Sequence, residues 1–482
     1  MKDSDRRGFL RAAFGAPLLA SSRALGHPGP AAPKPTDIHI ERITYKYDDY
    51  ILRTPLKFGG RVVSSSTVIT VYCTVRTVDG HTAQGFGSMP LGNIWAFPSS
   101  TISSDTTLAA MKALDERISK ITTAYPEAGH PIDINCALLP AYLQAAADVS
   151  KEMKLAEPIP KLCMLVTASP FDAAVHDAFG KVHHLNCYYT YGPKFMTYDL
   201  AHYDGPEFQG EQLDHYLLKE PRPRMPMYHL VGALDPLVAS DVKKPIHDGL
   251  PETLAEWIPY NGLTHFKIKL DGDSLPWDVD RVLSIAHVVE EAERKRKVSQ
   301  WVFSLDFNER CKNVAYLLDF LHQVKEKSPL TYDRIQYVEQ PTARDLEHNR
   351  QNVMFEAAKL KPVVIDESLT GLDRLRLARE MGYTGVALKA CKMQSQELLI
   401  AAAAQKYKMF LCVQDLTCPG ASLIQSASLA AHVPGVAAIE ANARQYIPAA
   451  NKGWDKKFPG IFHITDGTMD TSELNGLGLG AG

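Results

Sequence analysis

The chain lacks the features that would mark a nucleic-acid or membrane protein. Its formal charge is −3, with 22% charged residues of mixed sign, so the basic stripe that phosphate recognition requires is missing. No H-x-H pair occurs, which argues against a metal-dependent hydrolase built on a barrel. Its eight cysteines are scattered, without a C-x-x-C pair. Cys73, Cys163, Cys391 and Cys412 lie in apolar runs, so buried free thiols are expected rather than a disulfide framework. The apolar run Ala12–Ala20 is too short to span a bilayer, and no cysteine follows it to take a lipid.

Asp5-Arg6-Arg7-Gly8-Phe9-Leu10-Arg11 precedes that run and reads as a twin-arginine export signal. With the Pro-rich stretch 27–36 as a linker, residues 1–36 are expected to be leader, and the protein periplasmic without a stable membrane anchor. The length of 482 residues allows a barrel of about 250 residues and a second domain before it.

The most informative stretch is His265-Phe266-Lys267-Ile268-Lys269-Leu270. Alternation along a strand sends Lys267 and Lys269 to one face, and two like charges side by side call for carboxylates or an anionic ligand opposite. The downstream apolar runs supply them, ending successively in Asp306, Glu339, Asp366, Lys389, Asp415 and Glu440. From Lys269 the steps are 37, 33, 27, 23, 26 and 25 positions, each long enough for a strand, a helix and two loops. Helix-period segments such as Val279-Val282-Leu283-Ala286-Val289 fill the gaps. With Met225–Val231 as first strand, the count is eight. The fold class is therefore α/β, a (β/α)8 barrel with its site at the C-terminal ends of the strands, where these charges fall.

Before the barrel, Ile38–Ile43, Thr67–Val75 and the turn Val78-Asp79-Gly80-His81 predict an antiparallel start. Residues 104–166 read as helical pieces broken at Pro126, Pro131, Pro140 and Pro158. Ser169–Lys181 has Ser at the N-cap, Pro in the first turn and a closing Gly, which predicts a helix starting there; His176 and Asp177 in it read as a satisfied pair rather than metal ligands. Residues 183–224 have weak periodicity and leave a lid, an oligomer contact or a plain surface insertion open, the surface insertion being expected first. Ile461–Thr465 reads as a strand. The expected layout is an α+β capping domain at 37–166, the barrel at 167–465 and a C-terminal segment, 466–482, returning to the capping domain.

Three carboxylates on neighbouring strands suit a hard divalent cation such as Mg²⁺ with room for substrate, and Asp306, Glu339 and Asp366 fit that role. Lys269 and Lys389 flank them from the second and sixth strands. Removing a proton next to a carboxylate creates an enediolate, which a metal stabilises while an amine takes the proton. Lys267 is expected to face the substrate carboxylate or enolate oxygen.

These residues resemble the enolase superfamily, and within it the muconate-lactonising and dipeptide-epimerase branch of the mandelate racemase family. Lys267-Ile268-Lys269 is similar to its K-x-K, and Asp306-Phe307-Asn308, Glu339-Gln340-Pro341 and Asp366-Glu367-Ser368 resemble its metal-ligand strand ends. The resemblance implies a modified TIM barrel behind a capping domain, Lys389 as second base, and Glu367 as the acid supporting it. Glu440-Ala441-Asn442 stands where dipeptide epimerases carry Asp-x-Asp to hold an amino group, and Lys392-Met393-Gln394 stands where Gly-Gly is usual. Arg53–Gly59 and Met89–Trp95 resemble the family's specificity loops. Asn308, Asp415, Glu440 and Asn442 are candidate supporting or substrate residues. The resemblance implies a Mg²⁺-dependent isomerase, most readily a racemase or epimerase of a small carboxylate. Cycloisomerisation or β-elimination on the same site, and a non-catalytic periplasmic binding protein, are the alternatives; a homo-oligomer is expected.

Overall fold

A computed structural model describes residues 33–482. The expected export signal lies outside them. Among the described residues no helix is long and apolar enough to cross a membrane.

The antiparallel start forms as one sheet of β1 (Ile38–Phe58), β2 (Arg61–Thr77) and β3 (Thr82–Pro90). Gly59 and Gly60 turn β1 into β2 with φ of 51° and 75°, a left-handed pair that glycine adopts without a Cβ penalty. Arg53–Gly59, expected as a loop, is thus largely strand. Met89–Trp95 is the end of β3 followed by a short helix, Asn93–Ala96.

Helices Ser104–Thr123 and Lys161–Val182 pack on this sheet, and Pro131–Glu152 packs on those two helices. One of the expected proline breaks is corrected. Pro131 does stand at a break, opening a helix where its missing N–H costs nothing, but Pro140 lies inside that helix. Burial of Leu138, Tyr142, Ala145 and Val149 on the same helix outweighs a penalty of about 3 kcal/mol for an interior proline.

The helix expected to begin at Ser169 begins at Lys161 and runs through Pro170. Pro170 cannot donate to the Val166 carbonyl, and the Ser169 hydroxyl donates there instead at 3.0 Å. A Ser-Pro pair that reads as a helix start is here a repaired interior position. β3 lies against this helix backbone to backbone. A Cβ on Gly85 would sit 2.1 Å from the Ala178 nitrogen, and one on Gly87 2.0 Å from the Pro170 oxygen.

Residues 183–224 are not a surface insertion. Tyr188, Tyr191, Phe195, Leu200, Phe208 and Leu213 are buried, Tyr188 stacks on His432 with ring centroids 3.7 Å apart, and the Gln394 amide donates to the Tyr188 hydroxyl. The weak periodicity reflects short 3₁₀ turns that bury single aromatic rings instead of a continuous face.

Eight parallel strands follow: β4 (Arg224–Val231), β5 (His265–Lys269), β6 (Val302–Asp306), β7 (Ile335–Glu339), β8 (Val363–Ile365), β9 (Gly385–Leu388), β10 (Phe410–Val413) and β11 (Val436–Glu440). Each pairs with the next, and β11 pairs with β4 to close the ring. The predicted barrel is present. Ile461–Thr465 is not a strand. Its first residues belong to the short helix Pro459–Phe462, and the strand is β12 (Thr468–Asp470), antiparallel to the first residues of β4. Further on, Gly478 accepts from the Cys187 nitrogen, and the Leu479 nitrogen donates to Asp177.

Candidate active site

Strand register places the charged residues in two layers. Lys267, Ser304 and Tyr337 stand side by side on β5, β6 and β7; two residues further, on the same face, stand Lys269, Asp306 and Glu339. Tyr337 of the lower layer joins Tyr228, Val364, Ala387, Cys412 and Ala438 in a separate buried cluster that fills the barrel. The lysines and acids above it are buried, so each needs a partner of opposite charge.

Lys267 is 1% exposed and donates to Glu339 Oε1 at 2.8 Å, Gln414 Oε1 at 2.6 Å and Glu440 Oε2 at 3.0 Å; Asp306 Oδ2 is 3.2 Å away. Burial disfavours its ammonium, but Glu339, Glu440, Asp306 and Asp366 outweigh that and hold its pKa well above the usual lysine value. All three of its N–H donors are spent on the protein. Lys267 is thus the counter-ion of the acid layer, turned toward Asp306, Glu339 and Glu440.

Lys269 donates to Asp306 Oδ2 at 2.5 Å. Lys389 lies 2.8 Å from Asp366 Oδ2, and Asp366 outweighs desolvation to raise the pKa of this lysine. The two lysines sit on β5 and β9, four strands apart in a ring of eight, which puts them on opposite sides of the mouth. Asp366 also takes the Lys392 ammonium, at 3.0 Å on Oδ1 and at 2.6 Å on its own carbonyl. Despite burial, Lys389 and Lys392 hold its carboxyl below the usual range.

Supporting groups fix these orientations. Gln340, at φ 32°, accepts from the Asp366 and Ser368 nitrogens and donates to the Ser368 hydroxyl, stapling the next strand's loop in place. Asn308 donates its side chain to Asp306 and to Glu367 Oε1, the latter at 3.1 Å. Asn308, Glu309 and Gln340 all hold positive φ, a strained conformation that persists where surrounding structure demands it. Asp415 and Glu440 are joined through the Asp415 nitrogen, and Asn442 donates its backbone nitrogen to Asp415 and its side chain to Glu440.

The capping sheet reaches into this site. Trp95 Nε1 donates to Glu367 Oε1 at 2.9 Å, and its ring centroid is 4.1 Å from Lys389 Nζ, a cation–π contact. Phe58 faces Lys269 with its centroid 5.7 Å from Nζ. Arg344, paired with Glu309, donates to the Trp95 carbonyl at 3.2 Å. Burial, with Asp366 beside it, pushes the Glu367 carboxyl up to about 7. Gln414, Lys392 and Arg344 were not among the sequence candidates, and Trp95 was reached only as the end of the Met89–Trp95 segment that resembles a specificity loop. The Lys389-Ala-Cys-Lys392 spacing, one 3₁₀ turn, was a local signal for Lys392.

Among the described residues no three His, Cys, Asp or Glu side chains stand ready to hold a metal ion; Asp306, Glu339 and Asp366 each turn an oxygen to an ammonium group. Their donor chemistry nevertheless fits a hard cation. All are carboxylate oxygens, and Glu339 Oε2, Glu367 Oε2 and Asn308 Oδ1 are buried without a hydrogen-bond donor, a demand that a divalent ion would meet.

Residues 250–481 match the sequence profile of the family described as Enolase C-terminal domain-like. No curated protein matches the sequence significantly. Among solved structures, the chain is similar to a dipeptide epimerase from Enterococcus faecalis complexed with Mg and L-Leu-L-Tyr (16% identity, 84% of this chain and 90% of that one, TM-score 0.55). It is also similar to a muconate lactonizing enzyme from Pseudomonas fluorescens complexed with muconolactone (16%, 92% and 95%, 0.56) and to a 2-chloromuconate cycloisomerase from Rhodococcus opacus (17%, 92% and 96%, 0.57). At these identities the likeness is one of fold.

Proposed function

From the premise that residues 250–481 belong to the enolase C-terminal domain-like family, we propose that the protein is an isomerase that removes and returns the proton α to a carboxylate. The observation that carries this reading is the placement of Lys269 and Lys389 on strands four apart, each turned inward against its own acid. One lysine, neutral at the start of the cycle, takes the proton from carbon. The C–H electron pair moves into the carboxylate as an enediolate, and the opposite ammonium returns a proton to the other face. Two opposed groups suit racemisation or epimerisation.

Asp306, Glu339 and Asp366 would hold Mg²⁺. When bound, the ion supplies positive charge that stabilises the enediolate oxygens. Lys267 offsets part of the negative charge of the acid layer, and Glu367 and Trp95 position Lys389. A second reading, one-base cycloisomerisation or elimination, is favoured by the inequality of the lysines, since Lys389 lies much closer to its aromatic ring than Lys269 does.

The test is incubation with a library of chiral carboxylates in D₂O with Mg²⁺, followed by NMR. Deuterium should enter the α-position of at least one acid, and chelation by EDTA should stop it. A binding protein on the same scaffold would leave every α-proton in place. Trp95→Phe, which keeps a ring but loses the donor to Glu367, should lower that exchange rate about 10- to 100-fold, the equivalent of a hydrogen bond to a charged group. Unchanged exchange would remove Trp95 from the machinery, and far-UV circular dichroism should be the same in both proteins.

A further inference from the structure

Outside the ring of strands, one guanidinium is buried without a carboxylate. Tyr228 belongs to the cluster inside the barrel, so Met227, its neighbour on β4, points outward, and there Arg444 Nη1 lies 3.2 Å from Met227 Sδ. Arg444 is 8% exposed. Its Nε donates to the Phe462 carbonyl at 3.0 Å and its Nη2 to Asn261 Oδ1 at 2.6 Å. Three acceptors, one of them a thioether, thus serve five N–H groups, and none of the three carries a charge. Burial pulls the pKa of this arginine down to about 10, as expected of a cation that no acid compensates. Holding an unpaired charge in an interior is costly, and an arriving anion removes that cost.

Arg444 lines a cavity of about 280 Å³. None of Lys269, Asp306, Glu339, Asp366 and Lys389 belongs to its wall, so it is a site apart from the barrel mouth. Two amides in the wall have their oxygens occupied: Asn261 Oδ1 accepts from Arg444, and Asn451 Oδ1 accepts from the Gly420 nitrogen at 2.9 Å. What each amide has left is its N–H donors. The one carboxylate in the wall, Asp455, is half-buried, accepts from the Gly453 and Lys456 nitrogens and makes no pair with Arg444.

Trp257, Tyr260 and Phe462 supply flat apolar surface, the first two meeting edge to face with ring centroids 5.6 Å apart. The volume exceeds the ~150 Å³ of an apolar cavity that accepts benzene, which leaves room for a ring and a carboxyl group. A single guanidinium balances one negative charge. A phosphate group, carrying about −1.5 to −2 at neutral pH, would leave part of its charge unmet.

We propose that this cavity binds a small aromatic carboxylate, its carboxyl group on Arg444 and its ring among Trp257, Tyr260 and Phe462. The claim does not depend on the chemistry at the barrel mouth.

The probe is benzoate, titrated calorimetrically into the Mg²⁺-loaded full chain. It should bind with a Kd below about 1 mM, and Arg444→Met, which keeps most of the side-chain bulk, should weaken binding at least ~10-fold, the loss of a charge-assisted contact. Benzyl alcohol has the same ring and no charge, and should bind the parent at least ~10-fold more weakly than benzoate does. If circular dichroism shows Arg444→Met to be unfolded, Tyr260→Glu, at a position 54% exposed, takes its place: a carboxylate built into the wall competes for the guanidinium and should cause the same loss. Benzoate held at the barrel mouth instead would be released by EDTA and retained by Arg444→Met, which overturns the inference. So does a parent that binds no benzoate, benzyl alcohol binding as tightly as benzoate, or inorganic phosphate binding in place of it.

Discussion

Lys269→Ala should stop deuterium exchange from one enantiomer of a substrate acid, and Lys389→Ala from the other, each by about 10²–10⁴-fold, the range of a positioned acid or base. Both variants should fold. Without Lys269, Asp306 still has Lys267 at 3.2 Å and the Asn308 nitrogen on Oδ1. Without Lys389, Asp366 still has Lys392 at 3.0 Å. Loss of activity therefore reports chemistry rather than collapse. The measurement is exchange by NMR on each enantiomer separately, which reads the two faces independently. If only one lysine matters, the two-base epimerase gives way to the one-base cycloisomerisation or elimination reading.

A second large effect belongs to Lys267, and it is one of stability. Lys267→Met keeps the length of the side chain and removes the charge that faces Glu339, Glu440 and Asp306. Breaking a fully buried ion pair by removing one partner costs about 3–5 kcal/mol, because the remaining charges stay desolvated. Urea unfolding followed by circular dichroism should show the midpoint falling accordingly. Lys120→Ala, which removes an exposed partner of Glu116, should leave the midpoint where it is. A Lys267→Met protein as stable as the parent would mean that the acid layer does not depend on an internal ammonium.

Much of the barrel could be read without coordinates. Strand alternation put Lys267 and Lys269 on one face, and register confirms that they share it with Asp306 and Glu339 in successive layers. Helix limits were less legible. Ser169-Pro170 carries the local chemistry of a helix start, and only the Ser169 hydroxyl bonding back to Val166 reveals an interior turn. Residues 183–224 misled for a related reason: their aromatic rings are buried one at a time against distant helices, and no periodic pattern records that.

Spacing, period and residue type along the chain determined the eight-strand ring and the strand ends on which two lysines and three acids stand, because those properties are set by neighbours a few positions away. Tertiary structure decided which ammonium each acid faces, that Lys267 gathers Asp306, Glu339 and Glu440 around one charge, and that Trp95 closes on Glu367 from 272 positions earlier. Those outcomes depend on charge balance and desolvation in a shared interior, to which residues remote in sequence contribute together.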